Sequence, residues 1–83
     1  MYTKLKVTFI KAISYKPFTQ TFNIPKKVQE IGEQHGYSSL HVSVSHMYSG
    51  YFFRVVVSHC GKDLMDRQIV DPVARIQSYE WLP

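Results

Sequence analysis

Cysteine occurs once in this chain, at Cys60, so no disulfide can form within it and a cross-linked scaffold is excluded. A single thiol fits a reducing compartment, and a cytoplasmic protein is the expectation. Long apolar runs are missing too. The longest, Tyr51-Phe52-Phe53 and Val55-Val56-Val57, fall far short of the ~20 residues that a membrane-spanning helix needs. Lys4 and Lys6 interrupt the stretch that a secretory signal would require, so no membrane partner is expected. With four prolines and four glycines there is no linker or low-complexity segment, and no internal repeat.

Acids are absent from the first 27 residues, which carry six lysines: Lys4, Lys6, Lys11, Lys16, Lys26 and Lys27. The other 56 residues carry four basic and six acidic side chains, so the net +4 divides into +6 and −2. Such asymmetry calls for an acidic partner, either an acidic protein surface or nucleic acid.

What is present is enough for a core. The chain has 83 residues, 45% of them hydrophobic, with six Tyr, five Phe and one Trp. One domain spanning residues 1–83 follows, and disorder is excluded by modest charge and abundant aromatics. Residues 3–13 alternate as a half-buried strand with Leu5, Val7 and Phe9 on one side. Tyr15-Lys16-Pro17 reads as a turn, and Phe18, Gln20 and Phe22 give a second strand that Pro17 marks as an edge. Pro25 opens a helix of about ten residues with Val28 and Ile31 inward and Gly36 as its stop.

Residues 40–60 read as a hairpin about Ser49-Gly50, in the register that pairs Val42 with Val57 and Val44 with Val55. A further tight turn at Cys60-Gly61-Lys62-Asp63 leads to a fifth strand over Leu64 to Val70. Asp71-Pro72 then predicts a short C-terminal helix carrying Val73 and Ile76, followed by a helical or edge-strand tail. The fold class is α+β: a mostly antiparallel sheet in ββαβββ order, one helix packed on one face, and a short C-terminal helix or tail.

No motif announces chemistry. His35, His41, His46 and His59 lack metal-ligand spacing, and no paired carboxylates appear, so no cofactor, no metal and no enzymatic activity are expected. His41 and Cys60 share the outer face of the hairpin as diagonal neighbours, but no third group orients them as a nucleophile pair. Gly50-Tyr51-Phe52-Phe53 is similar in aromatic spacing to the base-stacking strand of RNA-recognition domains, yet Ser49 stands where a basic residue belongs and the preceding elements differ.

Two surfaces remain. Lys4 and Lys6 on the first strand, with Lys26 and Lys27 in the first helical turn, are candidates for anion or partner binding. Met47, Phe52, Arg54 and His41 on the outer hairpin face are candidates for a protein interface. The expected function is a small non-catalytic binding protein, an inhibitor or regulator of the kind that phages and mobile elements encode. The alternative is a nucleic-acid binder that contacts phosphates through the lysines. Pairing of two copies through an edge strand is also compatible with the pattern.

Overall fold

The computed structural model describes residues 1–46 and 52–83, and it buries the predicted inward face of the first strand, Leu5, Val7 and Phe9, completely. The elements are β1 (Lys4–Lys11), β2 (Pro17–Asn23), α1 (Lys26–His35), a 3-10 turn (Tyr37–Ser39), β3 (His41–His46), β4 (Phe53–His59), β5 (Lys62–Ile69) and β6 (Val73–Leu82). They form two three-stranded antiparallel sheets, β2-β1-β6 and β3-β4-β5. The α+β, mostly antiparallel class is what the sequence predicts, but the strands lie in two layers rather than one sheet.

The layers meet through one buried cluster. Leu5, Val7 and Phe9 of β1 and Val73 of β6 join Val42, Phe53, Val55, Val57, Met65 and Ile69 of the other sheet. Ile24 and Val28 close this core from the helical side. Each such side chain contributes about 1.5–3 kcal/mol by leaving water. Beyond the ladders, β6 runs beside β3 and α1 lies beside β5.

The C-terminal segment corrects the sequence reading: no helix follows Asp71-Pro72, and Val73 to Leu82 form a long strand against β1. Two bulges explain the misleading spacing. The β1–β6 register slips between Thr8 and Phe9 and again between Ile10 and Lys11. Each slip inserts an extra β6 residue, so Val73, Ile76 and Tyr79 face inward at intervals of three. A strand with two bulges thus imitates helical periodicity.

Two smaller boundaries matter for the surface. β1 ends at Lys11, and Ala12 to Ser14 form the turn. Ile13, the last residue of the predicted 3–13 strand, is therefore on a loop. The described β3–β4 ladder has the expected register, from His41 opposite Ser58 to His46 opposite Phe53. The loop at Ser49-Gly50 lies outside the described residues.

Strand directions sort the connections into two ends. Lys11 pairs with Val73 and Phe53 with Ile69, which puts the β1–β2 turn, the β5–β6 turn and the start of β4 together. The opposite end holds α1, the Cys60-Gly61 turn and both termini.

Candidate interaction surface

The four lysines singled out from sequence do not share a face. Lys4 and Lys6 project from the outer side of the β2-β1-β6 sheet, where Lys6 stands between Thr21 and Glu80. The helix lies on the inner side, since Val28 belongs to the core between the sheets. Its two lysines diverge in turn. Lys26 lines a shallow groove with Met1, Gln29 and Glu30, whereas Lys27 lines a groove of about 380 Å³ with Pro25 and residues 63–67 of β5. The second groove is electrically mixed, with Asp63, Asp66 and Arg67 on its wall. No side chain caps the helix start.

The outer face of the other sheet carries His41, exposed and opposite Ser58, and Arg54 opposite Ser45. Arg54 is already engaged: its guanidinium donates from Nε to Asp66 Oδ2 at 2.8 Å and from a terminal nitrogen to the same oxygen. That bond and the carboxylate charge hold the guanidinium pKa above its ordinary value. Phe52 is half-buried at the loop end of the molecule, and Met47 lies outside the described residues. Cys60 sits in the β4–β5 turn at φ 51°, followed by Gly61 at φ 78°, and is exposed.

Sequence reasoning missed two groupings. At the helical end, Tyr2, Tyr37, Trp81 and Tyr79 make successive ring contacts at centroid separations of 4.8, 5.2 and 6.2 Å. Tyr37 fits there because Gly32 has no Cβ, which would lie 2.6 Å from the ring. Its hydroxyl donates to Glu33 Oε1 at 3.3 Å. Partial burial, and then the Glu33 charge and hydrogen bond, raise its pKa above the ordinary tyrosine value. His35 and His59 also stack there, 5.0 Å apart.

The second grouping is at the loop end. Ile13 is 80% exposed, Tyr15 74% and Val70 69%, and all three belong to the two turns that meet there. Ala12 N–H donates to the Pro72 carbonyl at 2.9 Å and ties these turns together. Tyr15 adopts φ 56°, a region in which a bulky side chain is a genuine outlier. Its N–H donates to the Lys11 carbonyl at 3.1 Å, which fixes the conformation. Lys16 and Asp71 are exposed in the same two turns, while the Lys11 ammonium lies 5.4 Å from the centre of the Phe18 ring. The one sequence signal was an isoleucine and a tyrosine flanking Ser14 in a segment with turn character.

Among the described residues, no group of three or more His, Cys, Asp or Glu could hold a metal ion, and no helix is long and apolar enough to cross a membrane. Comparison with protein-family models, curated proteins and solved structures finds no match.

Proposed function

We propose that this chain is a small non-catalytic protein-binding module, an inhibitor or regulator, that docks through its loop end. The partner surface it fits is an apolar depression with an acidic rim, complementary to Ile13, Tyr15 and Val70 and to Lys16, exposed beside Tyr15. Aromatic anchors of this kind dominate protein interfaces.

The observation that carries the reading is Tyr15. A left-handed conformation costs a non-glycine residue roughly 1–2 kcal/mol. The ring is 74% exposed, so packing within the fold does not recover that cost. Backbone outliers of this sort concentrate where a side chain is displayed to something else.

Phosphate contact through Lys4, Lys6, Lys26 and Lys27 is less well supported, because the two pairs point to different sides. The residues paired beside Lys4 and Lys6 are Asn23, Thr21, Leu82 and Glu80, none of which offers a ring on which a base could stack.

Co-purification of the tagged chain from its native host, with and without nuclease, separates the two. A protein retained after nuclease is the expected result. Material that leaves with the nucleic acid would overturn the reading.

A further inference from the structure

The β2 segment Phe18-Thr19-Gln20-Thr21-Phe22 reads identically in both directions and lies on a sheet edge with neither charge nor bulge among the described residues. β6 has β3 beside it. β5 has α1 beside it, carries Lys62, Asp63, Asp66 and Arg67, and is bulged where Ser58 pairs with Asp63. Charges, bulges and covering elements are the usual protections of an edge strand. β2 lacks the first two: Pro17–Asn23 contains no charged residue and its ladder with β1 runs without a slip, leaving Pro17 at its start as the one blunting residue within the strand.

Two hydrogen bonds fix which groups face outward. Ile24 N–H donates to the Thr3 carbonyl at 3.0 Å, and Lys11 N–H donates to the Lys16 carbonyl at 3.1 Å. In an antiparallel ladder, bonded and non-bonded pairs alternate. Phe18, Gln20 and Phe22 therefore turn their backbone groups towards β1. Thr19, Thr21 and Asn23 turn theirs to the free edge, where Pro17 has a carbonyl but no N–H.

We propose that the chain forms a two-fold dimer by antiparallel pairing of β2 with β2 of a second copy, centred on Gln20. This register uses the whole strand. Thr19 exchanges both backbone hydrogen bonds with the partner's Thr21, and Thr21 does so with the partner's Thr19. Asn23 N–H donates to the carbonyl of the partner's Pro17. On the outer face threonine meets threonine. On the inner face half-buried Phe18, whose ring centre lies 5.4 Å from the Lys11 ammonium, meets the half-buried Phe22 of the partner. Isologous contacts require such self-complementarity, and the palindrome supplies it.

Charge permits the union. Lys6 pairs with Thr21 within its own sheet, so its row continues through the partner's Thr19 to the partner's Thr8 rather than to a second lysine. The two copies of Lys6 are about 16 Å apart by strand spacing, beyond the ~8 Å screening length at physiological salt. The product is a continuous six-stranded sheet, β6-β1-β2 joined to its symmetry mate, with Lys4 and Lys6 of both copies on one face. A single-strand contact is small beside the ~800 Å² per partner of a standard interface, so the dimer is a weak one that depends on concentration.

Sedimentation equilibrium of the full chain tests this, with circular dichroism to confirm folding of each variant. The wild type is expected to pass from monomer to dimer with concentration. Thr19→Lys with Thr21→Lys sets ammonium groups opposite each other at both threonine pairs and should weaken the dimer at least about tenfold. Thr19→Lys with Thr21→Glu sets opposite charges at the same positions and should restore it. A wild type that stays monomeric at all concentrations, or polymerises without limit, would overturn the proposal. So would a folded double-lysine variant that dimerises normally, or a folded lysine–glutamate variant no better than it.

Discussion

Tyr15 and Cys60 are both held in the left-handed region, at φ 56° and 51°, and the same strain has different consequences at the two sites. Cys60 occupies the first position of a two-residue turn whose second residue is Gly61, a geometry that favours Asn-Gly. Cys60→Asn should raise stability by about 0.5–1 kcal/mol in urea unfolding and leave partner binding unchanged. Tyr15→Asn should stabilise by a similar amount while weakening partner retention, the trade-off of a residue kept for contact rather than for the fold. A third prediction concerns alkali. Tyr37 has a folded-state pKa raised by burial and by Glu33, so the neutral phenol is favoured in the fold. That contribution is intact below the ordinary value of 10.0 and is lost as pH rises through the raised one. Tyrosinate absorbance with parallel urea curves should show the loss, and Glu33→Gln should lessen it. Sequence placed Tyr15 and Cys60 in turns but marked neither their positive φ nor Tyr37. The Tyr37 contacts with Gly32 and Glu33 are close in sequence but depend on the chain turning back at Gly36, which periodicity does not report.

The strands show where periodicity is informative and where it misleads. β1 and the β3–β4 ladder were legible because their alternation is unbroken, so one parity identifies one face. β6 was not, because its bulges change the inward spacing from two to three. The observed inward set includes Trp81, paired with Leu5, and excludes Glu80, paired with Lys6. Trp81→Ala should cost about 2 kcal/mol or more, whereas Glu80→Ala should stay within about 0.5 kcal/mol. α1 yields a second test. Alanine normally improves a helix interior by about 1 kcal/mol over glycine. Gly32→Ala should instead destabilise, because its Cβ would lie 2.6 Å from Tyr37. In a double-mutant cycle the penalty should vanish when Tyr37 is already alanine.

At the scale of the molecule, the +6 and −2 halves of the chain do not make a basic pole. Lys4 and Lys6 face outward from one sheet, Lys26 and Lys27 part to either side of the helix start, and Lys11 and Lys16 stand at the loop end. Sequence counting recorded the charge but could not distribute it, because the distribution depends on which side of the sheet the helix packs. The apolar loop end was hidden for a related reason: it assembles from turns more than fifty residues apart, joined by the Ala12–Pro72 hydrogen bond. The most direct measurement is photo-cross-linking in the native host with benzoylphenylalanine placed at Ile13 in one variant and at Lys6 in another. A protein adduct at Ile13, formed in nuclease-treated material and absent at Lys6, is the expected result. Adducts at Lys6 alone, or nucleic acid at either position, would contradict a loop-end protein interface.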